Sequence, residues 1–218
     1  MSTEGALHQL LRQSDLPRER FEEILHDRSA RRSHVVRRLL AAHPRTPRRE
    51  ALSLVSTLFW RDLAHISADV RIHPEIRRAA ERDLLRRLSE MALAERIDLA
   101  RSAGRGVLAV LRVDPNPRVV AAVLDNRFTT EPDVVQAAAR PEANSAALAA
   151  IAAHPRWTLR PGVRSALLRN PALPTGAGLG LLTSTSSRDL KELLANPAIS
   201  RLLAACAERV LAERGVHG

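Results

Sequence analysis

The sequence predicts an all-α fold built from short repeated helical units, and three observations indicate it. Ala, Leu and Val supply most of a 45% hydrophobic content, whereas aromatic residues make up only 2% and tyrosine is absent. Ala and Leu favour helices, whereas β-sheet cores use aromatic and β-branched residues. Proline recurs where helices would begin, and one long stretch of the chain occurs twice.

The duplication covers residues 44–84 and 171–211, which align without a gap at a constant offset of 127 positions. The tripeptide Arg-Asp-Leu stands at 61–63 and again at 188–190. Repetition of this kind is typical of chains in which neighbouring units complete each other's core. We therefore expect the two segments to have the same local structure.

Helix boundaries are marked mainly by proline. In a first turn the missing N–H of proline costs nothing and its fixed φ suits the helix. The candidate first-turn prolines are Pro17, Pro47, Pro74, Pro117, Pro132, Pro161 and Pro174. Four helices are expected to end in a left-handed cap at an Asn or His followed by proline, namely His43, His154, Asn170 and Asn196. Helical apolar spacing between these signals predicts about 13 to 15 short helices.

A smaller pattern recurs both within the duplicated segments and between them. An Asp near a helix start is followed by Leu or Val and, six positions after the Asp, by Ala or Gly. The aspartates are Asp62, Asp98, Asp133 and Asp189, and the small residues are Ala68, Gly104, Ala139 and Ala195. The Asp would complement the helix dipole, and the small residue would let the next helix approach closely.

Two of these aspartates follow an arginine, in Arg61-Asp62 and in Arg188-Asp189. One interpretation is a ligand site at equivalent ends of two repeats. The other is an arginine that pairs with a neighbouring repeat beside an Asp that supports the helix start. We favour the structural interpretation, because active sites are seldom duplicated whereas packing contacts often are.

Residues 111–126 resemble a HEAT repeat, with an Asp-Pro turn followed by a helix that opens Val-Val before Ala and Leu. Units that end in Asn-Pro or His-Pro resemble leucine-rich-repeat-variant (LRV) repeats. The resemblance extends over about residues 35–212 and implies a right-handed α-solenoid of short repeats. On this basis residues 1–45 would form an N-terminal helical cap, and residues 46–215 a repeat array continuous with it in a single domain.

Several kinds of chemistry find no support in the sequence. Cys206 is the only cysteine, so neither a disulfide within the chain nor the iron–sulfur cluster of one LRV protein type can form. No histidine is followed by Glu, unlike the pairs that bind two irons in HEAT-repeat hydroxylases. We expect no cofactor and no metal, and we favour a non-enzymatic function over an enzymatic one. With neither a signal peptide nor a membrane-spanning segment visible, we expect a cytoplasmic protein.

The charge gives the best indication of function. The formal net charge is +10, and only one of the 34 basic residues is lysine. Residues 143–187 contain no acidic residue, and arginines recur at spacing four along the predicted helix 74–88. A binding surface is predicted at Arg78, Arg82, Arg156, Trp157, Arg160 and Arg164, with Trp157 as a possible anchor. A merely solvated, arginine-rich surface remains an open alternative.

Two functions fit these features. The first is a non-enzymatic scaffold that presents an arginine-rich curved surface to an acidic protein. The second is binding of duplex DNA, in a protein similar in fold, length and charge to the HEAT-like alkylpurine DNA glycosylases. Those enzymes use Trp, Asp and Arg around an extruded base, and Trp60 with Asp62 is one such combination here. Binding of single strands is disfavoured, because few aromatic side chains could stack on bases.

Overall fold

The computed structural model describes residues 4–13, 16–197 and 199–216. Within these ranges the chain forms sixteen α-helices and no strand, which confirms the all-α prediction. The helices are α1 Glu4–Leu10, α2 Arg18–His26, α3 His34–Ala42, α4 Arg48–Val55, α5 Trp60–Ala68, α6 Pro74–Arg87, α7 Leu93–Ser102, α8 Arg105–Leu111, α9 Pro117–Leu124, α10 Glu131–Ala139, α11 Ser145–Ala153, α12 Pro155–Thr158, α13 Pro161–Arg169, α14 Thr175–Leu182, α15 Ser187–Leu194 and α16 Arg201–Val216.

The helices group into two compact units. Unit 1 comprises residues 1–92 and 102–107, and unit 2 comprises residues 93–101 and 108–218. In unit 1, α3 packs on α4, and both α4 and α5 pack on α6. In unit 2, α9 packs on α11, α10 on α13, and both α14 and α15 on α16. Each unit therefore buries the apolar faces of short helices against near neighbours in the sequence.

The duplication extends further than the matching residues indicate. The first six helices, α1 to α6, begin 127 positions before α10, α11, α13, α14, α15 and α16, respectively. Thus α4 covers Arg48–Val55 and α14 covers Thr175–Leu182. We call this shared arrangement of helices the duplicated frame. It includes helices from the segment 1–45, ahead of the first residue that aligns in sequence.

Arginine contacts recur in the duplicated frame. In unit 1, Arg87 donates from Nη1 to the carbonyl oxygen of Leu58 at 2.8 Å, and from Nη2 to the carbonyl two residues earlier at 3.2 Å. In unit 2, Arg214 makes the equivalent bonds, to Thr185 at 2.7 Å and to the carbonyl two residues earlier at 2.8 Å. In both units a guanidinium near the end of the last helix therefore satisfies carbonyls where an earlier helix ends.

Four of the seven candidate prolines lie in the first turn as predicted, whereas Pro17, Pro47 and Pro174 stand just before it as N-cap residues. Pro74, Pro117 and Pro161 occupy the first position of their helices. The helix ends differ from the prediction. Asn170 caps α13 with φ −82° and ψ 119°, which is extended, and none of the described residues has a positive φ. The prediction of left-handed caps was wrong, because the ring of a following proline drives the preceding residue to extended backbone.

Small residues allow close helix contacts. A Cβ added to Gly104 would lie 3.3 Å from the Cα of Ala68, so the predicted close approach at these two positions is confirmed. A Cβ on Gly178, in α14, would lie 2.8 Å from Cδ2 of Leu203, in α16. The equivalent pair in unit 1 is Ala51 and Ile76, both buried. In each pair, a small residue on the first helix therefore corresponds to a large aliphatic residue on the second helix.

Candidate interaction surfaces

Two arginines on α6 have no electrostatic partner. Arg78 and Arg82 are exposed, and no described residue forms a hydrogen bond or ion pair with either guanidinium. By contrast, Arg86 and Arg87 on the same helix both pair with the carboxylate of Asp83. The helix therefore presents two uncompensated positive charges to solvent.

A second pair of arginines lies around α12 in unit 2. Arg156 is exposed, and its guanidinium carbon lies 4.3 Å from the ring centroid of Trp157. The side chain of Arg160 is 56% exposed, with its Nε 3.9 Å from a carboxylate oxygen of Glu131. An ion pair of this length at an exposed site is weak, so both arginines can bind an anion.

The structure corrects the interpretation of Trp157. The residue is 2% exposed, and its indole N–H donates to the carbonyl oxygen of Leu124 at 2.9 Å. Trp157 therefore belongs to the core of unit 2 and is not an exposed anchor. Its size and polar tip suit a core position with one acceptor within reach. The equivalent position in unit 1 holds Ala30.

Arg164 is also held by the fold. Its Nη1 donates to the carbonyl oxygen of Thr158 at 2.7 Å, and its Nε is buried without a partner among the described residues. Arg37 occupies the equivalent place in unit 1 and donates to the carbonyl oxygen of Arg31 at 3.1 Å. A contact that recurs in both units is structural, so Arg164 contributes less to a surface than Arg156 does.

Among the repeated aspartates, Asp62 joins two helices. It is bound by Nε2 of His34 and lies 3.6 Å from Nε of Arg38, both on α3. Asp133 closes a capping box with Thr130 and is bound by Arg112 at 2.9 Å. Both aspartates therefore support packing as well as a helix start.

The other repeated polar positions have local partners. Asp98 lies 3.5 Å from Arg101 on its own helix, and the backbone N–H of Asp189 donates to Ser186 at 3.1 Å. Arg188 pairs with Glu192 one turn along α15 at 3.4 Å. The guanidinium of Arg61 lies 5.0 Å from the ring centroid of Trp60. The contact of Arg188 therefore lies within its own helix.

Unit 1 also contains a groove that the sequence did not predict. It has a volume of about 640 Å³ and lies between the end of α1, helix α3, helix α5 and the turn that follows α5. Its apolar lining includes Leu11, Ile66 and Ile72. Its polar lining consists of three histidines and three arginines with one aspartate, namely His8, His43, His65, Arg12, Arg38, Arg71 and Asp69. The groove thus combines apolar contacts with many hydrogen-bond donors.

The groove continues toward α6. A second stretch of about 480 Å³ shares His43 and Arg71 with the first and extends to His73. Nδ1 of His43 accepts the backbone N–H of Arg45 at 3.2 Å, and Nδ1 of His73 accepts that of Glu75 at 3.3 Å. Burial, followed by the charge of Arg45, lowers the pKa of His43. At neutral pH the proton of His43 therefore lies on Nε2, which is an N–H donor.

Charge in the groove is partly compensated. Arg71 donates to both carboxylate oxygens of Asp69, at 2.9 Å and 2.7 Å, while its own side chain remains 84% exposed. The hydrogen bond from Arg71 lowers the pKa of Asp69 to about 2, so both groups are charged at neutral pH. Arg38 shares Asp62 with His34. Arg12 is exposed and has no such partner among the described residues.

Unit 2 has different residues at the same places in the duplicated frame. His43 corresponds to Asn170, whose Nδ2 donates to the carbonyl oxygens of Ala138 and Arg140, both at 2.7 Å. His65 corresponds to Glu192, which pairs with Arg169 at 3.3 Å. His8, Arg12 and Arg38 correspond to Val135, Ala139 and Ser165. The basic lining is therefore specific to unit 1 and is not required by the frame.

Unit 2 has a smaller cavity of about 330 Å³ beside α9, α10 and α11. Its lining includes Val120, Leu148 and Ile151, with Arg140 and Glu142 among its polar residues. Asp114, also in the lining, is already bound by Arg96 at 2.8 Å. The charges that line this cavity are therefore of both signs.

Neither a metal site nor a membrane-spanning helix is found among the described residues. In the ranges that the structure describes, no three His, Cys, Asp or Glu side chains converge as ligands for a metal ion. None of the helices in the same ranges has both the length and the apolar content that crossing a bilayer requires. Comparison of the chain with protein-family models, with curated proteins and with solved structures finds no match.

Proposed function

We propose that this protein is a non-enzymatic helical-repeat scaffold that binds an acidic partner protein through exposed arginines. The observation that carries the proposal is the uncompensated charge of Arg78 and Arg82 on α6, supported by Arg156 and Arg160 in unit 2. Exposed guanidiniums bind carboxylates in forked geometry and speed association with acidic surfaces. In unit 2, the buried Trp157 packs against Arg156, and Arg164 binds the carbonyl oxygen of Thr158.

The proposal includes stacking of the repeats as a right-handed α-solenoid in a cytoplasmic protein. Its support is the regular register of the duplicated frame, in which helices of one copy recur as helices of the other. Repeat proteins of this class gain stability from contacts between neighbouring units and use extended surfaces for binding. HEAT-like and LRV-like repeats are both consistent with these short helices.

Binding to fluorescein-labelled polyglutamate tests the proposal directly. We expect the wild-type protein to bind it and the affinity to fall as salt is raised, since exposed charges are screened. The variants Arg78→Glu with Arg82→Glu, and Arg156→Glu with Arg160→Glu, should each weaken binding by about tenfold, which is about 1.4 kcal/mol. A wild-type protein that fails to bind polyglutamate at low salt would overturn the proposal.

A matched control separates local charge from net charge. Arg18 and Arg209 are exposed but already paired, with Glu22 at 2.9 Å and Glu213 at 3.1 Å, respectively. Reversing both to Glu changes the net charge as much as either test variant does. The control should reduce affinity less than the test variants do. Equal losses in all three would show that only overall charge matters and would contradict the assigned surface.

Duplex DNA is the competing ligand in the same assay, because phosphates would also bind unpaired arginines. A duplex that binds with a steep salt dependence, under conditions where polyglutamate does not, would replace the scaffold function with DNA binding. Release of alkylated bases from that duplex would further indicate a glycosylase. Asp62 is the residue to replace with Asn in that case, with loss of base release as the expected result.

A further inference from the structure

We infer that the groove of unit 1 binds an extended acidic segment of the partner, a peptide in which carboxylate side chains alternate with apolar ones. The inference rests on the proposed function for the choice of an acidic protein as partner. It goes further by assigning a second site, separate from Arg78 and Arg82, and by giving the ligand its chemistry.

The shape and lining of the groove indicate this type of ligand. It runs as two connected stretches of about 640 Å³ and 480 Å³ from the end of α1 to the first turn of α6. An elongated site suits an extended chain better than a compact metabolite. The lining contains apolar side chains, among them the half-buried Leu39, as well as cationic and N–H donor groups. Side chains of an extended peptide alternate in direction, so one face can meet the apolar lining and the other the donors.

The duplicated frame supplies an internal comparison that separates structural residues from binding residues. Arg37 and Arg87 make contacts in unit 1 that recur in unit 2. The groove residues do not recur, since Arg12 and Arg38 are replaced by Ala139 and Ser165. Because unit 2 keeps the frame without these arginines, they are not needed for it to form. The exposed charge of Arg12, beside the half-buried guanidinium of Arg38 that shares Asp62 with His34, therefore points to an acidic ligand.

His43 shows the same difference at a single position. In unit 2, Asn170 takes this place, and its amide is consumed by two carbonyl oxygens at the end of α10. In unit 1, the ring of His43 stacks on Phe21 at a centroid distance of 4.5 Å, and no described residue accepts from its Nε2. The donor therefore remains open to the groove, beside Arg71, where a carboxylate or peptide carbonyl can accept from it.

Fluorescence anisotropy with a labelled peptide of alternating Glu and Leu tests the inference on the full chain. The variant Arg12→Ala with Arg38→Ser places the unit 2 residues in the groove, and we expect it to weaken peptide binding by about tenfold. The control variant Arg28→Ala with Arg32→Ala removes the same charge from exposed positions outside the groove, and its affinity should stay within about twofold of wild type. Equal losses in the two variants would overturn the inference.

Two further measurements keep the test decisive. Arg12→Ala alone removes an exposed side chain that has no ion-pair partner among the described residues, so it reports on binding even if the double variant folds poorly. An unchanged affinity would contradict the groove. A peptide of alternating Glu and Ser should bind more weakly than the Glu–Leu peptide, because it lacks the apolar side chains. Equal binding of the two peptides, or displacement of the Glu–Leu peptide by millimolar inorganic phosphate, would show a simple anion site and overturn the inference.

The outcomes also separate this inference from the proposed function. If the groove variants bind the peptide normally while Arg78→Glu with Arg82→Glu weakens polyglutamate binding, the scaffold function stands and the groove assignment fails. If the groove variants lose the peptide while the α6 variant binds polyglutamate normally, the groove stands and the α6 surface fails. If neither probe binds the wild-type protein, both fail together.

Discussion

The two copies of the duplicated frame have their helices at equivalent positions but carry different side chains there. Equivalent helices begin at equivalent positions, and the terminal arginines Arg87 and Arg214 bind equivalent carbonyl groups. In contrast, Ala30 stands in unit 1 where Trp157 stands in unit 2, and His43 stands where Asn170 does. Backbone hydrogen bonding therefore constrains the frame, whereas core volume and surface chemistry have diverged within it. Substitutions that place a residue of one copy at the equivalent position of the other measure how far core volume and surface chemistry can change while the frame stays folded.

The largest effect is expected at the core position that differs most in volume. Trp157→Ala removes a fully buried ring and leaves the carbonyl of Leu124 without its donor. We expect a loss of about 3–5 kcal/mol in the free energy of unfolding, measured by urea denaturation followed by circular dichroism. Trp157→Phe should cost less, because the ring volume is largely kept. A loss below about 1 kcal/mol for the Ala variant would show that unit 2 can pack as unit 1 does around Ala30.

Asn170 is the next position to exchange. Asn170→Ala removes two donated hydrogen bonds and the acceptor for the N–H of Ala172, so we expect a loss of about 2–4 kcal/mol. Asn170→His should cost less, since Nδ1 can still accept that N–H as it does in His43. The reverse change, His43→Asn, should stay within about 1 kcal/mol of wild type. If Asn170→His and His43→Asn lowered the free energy of unfolding by the same amount, the amide contacts of Asn170 would not stabilise unit 2.

A smaller effect tests the paired exchange of helix-contact residues. Gly178→Ala gains up to about 1 kcal/mol in helix propensity but brings Cβ against Leu203, so the net change should be small. Adding Leu203→Ile recreates the Ala51–Ile76 pair of unit 1. The double variant should be more stable than the sum of the single variants by about 0.5–1 kcal/mol. Additive effects in a double-mutant cycle would show that the two positions are not coupled.

The smallest effect concerns Asp69, whose place in unit 2 is taken by Asn196. The pKa of Asp69 is lowered to about 2 in the folded protein, so its stabilising effect is present above its unfolded pKa of about 3.8. This effect is lost as the pH falls through about 2. Because Arg71 is highly exposed, Asp69→Asn should cost less than about 1 kcal/mol at pH 7.

Denaturation curves across pH give the check. The difference between Asp69→Asn and wild type should shrink as the pH falls from 5 toward 2. A difference that stays constant over this range would show that the Arg71 contact does not depend on the charge of Asp69.

The sequence predicted the parts of the fold that depend on local chemistry. Helix starts at Pro74 and Pro161 follow from the fixed φ of proline, and the all-α class follows from composition. The close approach at Gly104 follows from the absence of a side chain. The extended helix ends differ from the predicted left-handed caps, because a following proline drives the preceding residue to extended backbone even where that residue is Asn.

The sites were predicted less well, because they depend on contacts between distant residues. A tryptophan among arginines suggested a surface anchor, yet Trp157 lies beneath its neighbours with an acceptor from another helix. Local sequence cannot tell a paired arginine from a free one, as the contrast between Arg86 and Arg82 shows. An alignment of the two copies at their offset of 127 positions indicates the groove, because His65 aligns with Glu192 and Arg12 aligns with Ala139.

The absence of positive φ among the described residues has a practical consequence for protein engineering. Every turn in those ranges uses backbone conformations that any L-amino acid other than proline adopts readily, so no loop position there needs glycine for its φ, although the contact of Gly104 with Ala68 still favours the absence of a side chain. Libraries that randomise the exposed turn residues of either unit should therefore yield mostly folded members. The frame is accordingly a suitable starting point for selecting new binding specificities.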